Sequence, residues 1–248
     1  MSERALIFEV KGKFAHWRKF YTNSSSLTYY FPTRTNVIGL IASILELERD
    51  SYYDLLSRDN LSVGLKMNSD VKKNIFVMNY RSTKDRMSSM IEGYTQIKLE
   101  VLMPKSFSEN ISYRIYLRPN NKATEELLAR LEEKLRNDHL GYGIYLGQRA
   151  FQGYTKIISG LKETKVKFIA KSDYVESVIK KEDVKGNLDF EDQRTMYIKD
   201  RIPLDFNSER EVTATEEVLY ELNNHKITLS DGHLTNCYKV GGEVISFL

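Results

Sequence analysis

Hydrophobic and polar residues alternate along several short segments of the chain, which is the pattern of β-strands with one buried face. The first such strand places Leu6, Phe8 and Val10 on one face and ends at Gly12. Further strands are predicted at residues 61–67, 111–117 and 141–146. Each is short and bounded by Gly, Pro, Asn or charged residues, as expected for strands joined by turns.

A helical spacing replaces the alternation in residues 29–47, YYFPTRTNVIGLIASILEL. Apolar residues recur there at intervals of three and four, which predicts a helix with one buried stripe: Val37, Ile38, Leu40, Ile41, Ile44 and Leu45. Pro32 excludes Phe31 from the helix, so the helix is expected to begin at about residues 33–35. Gly39 lies in the helix interior and predicts a close approach to a sheet.

A second helix is predicted at residues 122–137, where leucines recur every four residues. The order strand, helix, two strands, helix, strand predicts an α+β fold, a ferredoxin-like (RRM-like) βαββαβ domain over residues 1–150. Residues 71–102 interrupt this pattern as an inserted β-hairpin, here called the thumb, with apolar Met87, Met90 and Ile91 near its tip. Residues 151–248 alternate short β-prone segments with charged linkers, which predicts a smaller β-rich C-terminal region.

Composition is that of a soluble globular protein, with 41% hydrophobic and 29% charged residues. No apolar run is long enough to cross a membrane, so we expect a cytoplasmic protein without a membrane partner. Cys237 is the single cysteine, and no His pair has a metal-ligand spacing with it, so neither a metal nor another cofactor is expected.

Charge is distributed unevenly along a chain whose net charge is only +3. Residues 1–34 hold six Lys/Arg against two Glu, and residues 71–98 hold six Lys/Arg against one Asp and one Glu. Local basic segments on a nearly neutral chain favour a polyanion held at one face.

Cations and aromatic residues are interleaved before the first helix, in Lys13, His16, Trp17, Arg18 and Lys19. Trp17 is either a platform on which a base stacks or a buried anchor of its loop. His16 by itself favours a hydrogen-bonding role over a catalytic one.

The start of the first helix adds Tyr29, Tyr30, Thr33, Arg34 and Thr35. A cation in the first turn opposes the helix dipole, so Arg34 predicts an anion nearby, and a phosphate is the natural candidate. The alternative for the two tyrosines is that they simply end a strand.

Three segments of the chain resemble the Cas-five family of CRISPR-associated proteins, a RAMP family. They are the HWRKF loop after Gly12, YYFPTRTNVIGLIASILELERDSYY at residues 29–53 and YLGQRAF at residues 145–151. The resemblance is to the type I-B (Hmari) branch. It implies a subunit of the Cascade surveillance complex that binds the 5′ handle of the crRNA and caps the Cas-seven backbone. A large Cas-eight-type subunit is a further implied partner, and target DNA near that end of the complex is another candidate.

The same resemblance assigns roles to residues of this chain. Arg34, Thr33 and Thr35 would contact the handle, and Lys13, His16, Trp17 and Arg18 would line the same groove. Gly147, Gln148 and Arg149 would close the groove, and Lys84 and Arg86 of the thumb would extend along the guide toward Cas-seven. The chain departs from the family in having Gln148 where many relatives have arginine.

The I-C branch of the family cleaves pre-crRNA with a Tyr, a Lys and a His, the last two adjacent, and this chain has no Lys-His dipeptide. A noncatalytic RNA-binding subunit is therefore expected. The alternative enzyme is a metal-independent endoribonuclease with His16 as acid or base, Tyr29 or Tyr30 at the 2′-hydroxyl and Lys13 at the phosphorane. A third interpretation is a scaffold that binds only proteins.

Overall fold

The computed structural model describes residues 3–22, 25–81, 94–192 and 194–248. Five thumb residues lie outside the described residues: Lys84 and Arg86, which the family resemblance places along the guide, and the apolar Met87, Met90 and Ile91.

In the first part of the chain, the described residues form two helices and eight strands. They are β1 (Leu6–Gly12), β2 (Trp17–Arg18), β3 (Thr28–Tyr29), α1 (Arg34–Ile44), β4 (Leu61–Met67), β5 (Val71–Arg81), β6 (Tyr94–Pro104), β7 (Ile111–Pro119), α2 (Lys122–Arg136) and β8 (Gly153–Ser159). One four-stranded sheet has the order β4-β7-β1-β8, with every neighbouring pair antiparallel. With α1 after β1 and α2 after β7, this is the ferredoxin-like arrangement, so the predicted fold class is confirmed.

The last strand of this sheet differs from the prediction. Residues 141–146 form turns, and β8 supplies the fourth strand, so the sheet extends past the predicted domain boundary at residue 150. Gly141, Gly143 and Gly147 have φ of +54°, +90° and +85°, left-handed values that do not fit a strand. Residues 53–56, which follow α1, also form turns.

The C-terminal region is β-rich, as predicted. Its elements are β9 (Val166–Ile169), β10 (Tyr174–Val175), β11 (Ile179–Lys180), a 3₁₀ turn (Lys181–Asp183), β12 (Val184–Lys185), β13 (Tyr197–Phe206), β14 (Val212–Glu221), β15 (Ile227–Thr228), β16 (His233–Leu234), β17 (Cys237–Val240) and β18 (Glu243–Ser246). The two larger sheets have the orders β11-β14-β13 and β18-β17-β9.

The four-stranded sheet is covered on both faces. Phe8 and Val10 of β1 pack in one core with Val37 and Ile41 of α1, and leucines of α2 complete that core. On the other face, C-terminal residues pack against Ile7 of β1. Gly64 of β4 permits this packing, because a Cβ there would lie 2.8 Å from the Cδ1 atom of Ile245.

The thumb hairpin pairs β5 with β6 in antiparallel register from Val71↔Pro104 to Arg81↔Tyr94. Its inner half joins the body through a bridge between Leu102 and Ala15. In its outer half, Ile75, Phe76, Val77 and Met78 are all exposed. Among the described residues, neither helix is long and apolar enough to cross a membrane.

Candidate nucleic-acid interface

Helix α1 begins where the sequence predicts. Thr33 is the last extended residue before the helix, and its backbone N–H donates to the side-chain oxygen of Asn36 at 3.0 Å. The Thr33 hydroxyl donates to the same oxygen at 2.8 Å and lies 2.9 Å from the hydroxyl of Thr35. Thr33 is buried and Thr35 is partly exposed, so only Thr35 of the two presents a surface to a ligand.

Arg34 does not have the predicted position, because its side chain is fully buried. Its terminal nitrogens donate to the carbonyl oxygens of Leu56 (2.8 Å), Leu61 (2.9 Å) and Leu204 (2.9 Å) and to the carboxylate of Asp205 (2.6 Å). Burial lowers the pKa of Arg34 to about 10, against the opposing effect of Asp205, and leaves the guanidinium charged at neutral pH. An anion does lie beside Arg34, as expected, but it belongs to the protein itself.

Trp17 is the buried anchor of its segment. Its indole N–H donates to the Tyr113 hydroxyl at 3.2 Å, and the two rings meet edge to face. His16 is also buried, with Nδ1 2.7 Å from the Glu100 carbonyl oxygen and Nε2 3.0 Å from the Ser26 hydroxyl. Since a carbonyl oxygen only accepts, Nδ1 holds the proton, and neither ring nitrogen is available to a ligand.

Lys19 and the two tyrosines are held by other parts of the chain. The Lys19 ammonium lies 2.7 Å from the Asp200 carboxylate and 5.1 Å from the centre of the Tyr29 ring. The Tyr29 hydroxyl donates to the carbonyl of Arg201, and burial raises the pKa of this hydroxyl. Tyr30 is half-buried, with the Lys73 ammonium 4.2 Å from its ring centre.

The structure brings residues 13–18 and 145–151 side by side. The His16 N–H donates to the Leu146 carbonyl at 3.0 Å, and the rings of Phe14 and Phe151 lie 5.9 Å apart. At Gly147 a Cβ would lie 1.8 Å from the His16 carbonyl oxygen, so only glycine permits this approach. The two segments therefore form one surface.

A cavity of about 260 Å³, here called the α1 cavity, opens beside this surface. The described residues that line it are neutral: Val10, Trp17, Pro32, Thr35, Asn36, Val37, Gly39, Leu40, Ser43, Tyr52, Ile115, Gly143, Tyr145 and Gly147. The sequence did not single out Asn36, Tyr52 or Tyr145 as functional. Gly39 was the available signal, but the predicted close approach to a sheet is wrong, because the nearest atom to an added Cβ is the Tyr52 hydroxyl oxygen at 3.9 Å.

Exposed cations lie close in sequence to residues that line the α1 cavity. Arg18 and Arg149 are exposed, and each lies within two positions of a residue that lines the cavity, while Gln148 is half-exposed. Arg18 also lines a second cavity of about 250 Å³ that shares Thr35 and Asn36 with the first. Lys13 is exposed as well, although its ammonium donates to the backbone carbonyl oxygens of Phe107 and Glu109.

The surface therefore combines a neutral, aromatic-lined cavity with positive charge outside it. Such an arrangement suits a ligand that has planar uncharged groups on an anionic backbone. Within the part of the chain that the structure describes, no group of three His, Cys, Asp or Glu side chains is arranged as metal ligands. Burial lowers the pKa of His16, which keeps its imidazole neutral at pH 7.

Comparison with known structures finds the same fold elsewhere. A chain of "CRISPR RNA-guided surveillance complex" matches with a TM-score of 0.51 and 13% identity, over 88% of this chain and 89% of that one. "Crystal structure of a CRISPR protein from Archaeoglobus fulgidus" matches with a TM-score of 0.51 and 14% identity, over 97% and 98%. At these identities the likeness shows a shared fold alone.

Sequence comparison identifies the family. No curated protein sequence matches the chain. The family model described as CRISPR-associated protein (Cas_Cas5) matches residues 5–218, from β1 into β14. The match covers the ferredoxin-like domain, the thumb and most of the C-terminal region, and the chain therefore belongs to the Cas5 family of CRISPR-associated proteins.

Proposed function

We propose that this protein is a noncatalytic crRNA-binding subunit of a type I-B Cascade complex, where it binds the 5′ handle of the crRNA and caps the Cas-seven backbone. The observation that carries the proposal is a Cas5-family body with a neutral, aromatic-lined cavity and exposed arginines close in sequence to its lining residues. The resemblance of residues 29–53 to the type I-B branch supports that assignment. The proposal includes a cytoplasmic location, a large Cas-eight-type partner, and target DNA near this end of the complex.

The way in which proteins bind single-stranded RNA supports separate roles for the cavity and for the cations near it. Unpaired bases are splayed out, stacked on aromatic rings and read on their edges, while cations follow the phosphates. Arg18 and Arg149 are the exposed cations closest in sequence to the cavity residues Trp17 and Gly147. In this proposal they bind handle phosphates, and the half-exposed Gln148 lies between Gly147 and Arg149 in the sequence.

The hydrogen bonds of His16 and Tyr29 support a noncatalytic role. A general acid or base has to reach the proton that it transfers. Both ring nitrogens of His16 and the hydroxyl of Tyr29 are instead bonded to groups of the protein. The proposal therefore predicts no cleavage of repeat RNA in EDTA, and cleavage that is lost in His16→Ala would overturn it in favour of an endoribonuclease.

The thumb supports a protein partner, for which we propose Cas-seven. Its outer half exposes a run of four apolar residues, with Ile75 and Val77 64% and 61% exposed. Exposed apolar patches of this kind mark interaction sites. We expect Ile75→Glu with Val77→Glu to abolish co-purification with Cas-seven, whereas Asn74→Glu, which adds charge at an exposed polar position of the same strand, retains it.

RNA binding is tested with the full-length protein, handle RNA and scrambled RNA at two salt concentrations. We expect the wild type to prefer the handle, and Arg18→Ala with Arg149→Ala to weaken binding and reduce the salt slope by about 1–2. The matched control is Lys122→Ala, which removes a 90% exposed cation from α2. Equal affinity for both RNAs, in the protein alone and in its assembly with Cas-seven, would contradict handle recognition.

A further inference from the structure

Close packing does not explain why position 39 has a glycine. It lies in the interior of α1, where alanine is the better helix former. A Cβ at Gly39 would meet one neighbour within 4 Å, the Tyr52 hydroxyl oxygen at 3.9 Å, which is an ordinary contact. At Gly64 and Gly147, by contrast, an added Cβ would collide with neighbouring atoms. The helix therefore has a glycine at a position where the protein has room for a side chain.

The room beside Gly39 belongs to the α1 cavity, which both Gly39 and Tyr52 line. We propose that this cavity holds a single unpaired nucleobase of the bound RNA, and that Gly39 is the specificity-determining residue that keeps the space for it. This inference rests on the proposed function, because it assigns a role within the same RNA-binding surface. It identifies the ligand group as a base rather than a phosphate or sugar.

The lining of the cavity favours a base. The described residues that form its wall include three aromatic side chains, Trp17, Tyr52 and Tyr145, and none that is charged. A phosphate in a wall without cations would lose its hydration without compensation, whereas a base has an uncharged ring that stacks. The volume of about 260 Å³ lies just below the range of roughly 300–1,000 Å³ typical of drug-sized ligands, which fits a smaller group.

Asn36 supplies a group that can read the edge of the base. Its side-chain oxygen accepts hydrogen bonds from the backbone N–H and the hydroxyl of Thr33. Those two bonds fix the amide, and among the described residues its nitrogen donates to no protein group. The N–H groups are therefore available to a ligand, and they suit an acceptor atom on a base edge.

The test combines Gly39→Ala with handle RNAs that each lack one base, measured with the full-length protein. In the wild type we expect one abasic position to reduce affinity about tenfold, the loss typical of removing a small group from a fitted site. In Gly39→Ala we expect intact RNA to bind about tenfold more weakly and the same abasic position to have no further effect. The melting temperature of the variant is expected to rise, so weaker binding cannot result from unfolding.

The matched control is Ala129→Gly on the exposed face of α2, which changes helix propensity in the opposite direction at a residue that does not line the cavity. It is expected to lower the melting temperature and leave RNA affinity unchanged. If the wild type prefers handle RNA but Gly39→Ala binds equally well, or if no abasic position couples to Gly39, the base-binding role is wrong while the proposed function stands. If the wild type shows no preference, the proposed function fails first.

Discussion

The two sides of the first helix differ in what their residues contact. On one side, Arg34 is fully buried, and its two terminal nitrogens donate to three carbonyl oxygens and a carboxylate. On the other side, Gly39 adjoins a cavity that no side chain fills. One helix therefore has a buried arginine that bonds to the protein itself and a glycine beside open space, to which we assign the binding role proposed above.

The largest expected effect comes from removing the buried guanidinium. We expect Arg34→Met to lower the free energy of unfolding by about 3–5 kcal/mol, because three carbonyl oxygens and Asp205 lose their donor. Denaturant unfolding measures this loss. Arg34→Lys is the control, since it keeps the charge without the planar group that reaches several acceptors, and it should recover only part of the stability.

An opposite result would restore the role that the sequence suggested for Arg34. If Arg34→Met unfolds at the wild-type denaturant concentration but loses its preference for handle RNA, then Arg34 contacts the RNA. The two sides of α1 would then share one role, because both Arg34 and Gly39 would belong to the binding surface.

A smaller loss is expected at the acidic partner. Asp205→Asn keeps the shape of the side chain but removes the counter-charge of a buried cation, and should cost about 1.5–3 kcal/mol. The same substitution in the Arg34→Met background should cost much less, since the two residues form one interaction. Equal losses in both backgrounds, measured by denaturant unfolding, would mean that Asp205 acts independently of Arg34.

Gly39→Ala should change stability in the opposite direction. Because alanine is the better helix former and finds room at this position, we expect the free energy of unfolding to rise by about 0.5–1 kcal/mol. Thermal and denaturant unfolding provide the measurement, with Ala129→Gly as the reverse control. A loss of stability would show that the fold needs Gly39. Gly39 and Arg34 would then both contribute to stability.

The features that the sequence predicted correctly depend on local patterns of residues. Pro32 and the spacing from Val37 onward fixed the start and the buried face of α1, and alternating strands with two helices were enough to predict the ferredoxin-like order. The partner of Arg34 was not predictable, because Asp205 lies 171 positions away on β13. That strand packs against α1 through tertiary contacts that no local pattern records.

The sequence predicted which segments form the candidate site, but it did not predict which of their side chains are exposed there. Residues 13–18 and 145–151 do lie together, yet Trp17 and His16 turn inward, because each finds a buried hydrogen-bond partner in a distant strand. The cavity escaped prediction because its wall combines residues from many parts of the chain. Gly39 was noticed, but a glycine that permits close packing and one that leaves space look identical in a sequence.

The smallest expected effect concerns pH and distinguishes the buried His16 from the buried Arg34 of α1. Burial lowers the pKa of His16 below its ordinary value of 6.5, and the nearby cations Arg18 and Lys73 act in the same direction. The unfolded chain therefore binds a proton more readily than the native protein, so the contribution of neutral His16 to stability is complete above pH 6.5 and declines as pH falls toward the native pKa. Arg34, with a pKa of about 10, keeps its charge over this range.

We expect the free energy of unfolding to decline less between pH 7.5 and about 5 in His16→Asn than in the wild type. Parallel pH curves for the two proteins would show that His16 does not titrate differently on folding, and that acid acts elsewhere in the molecule.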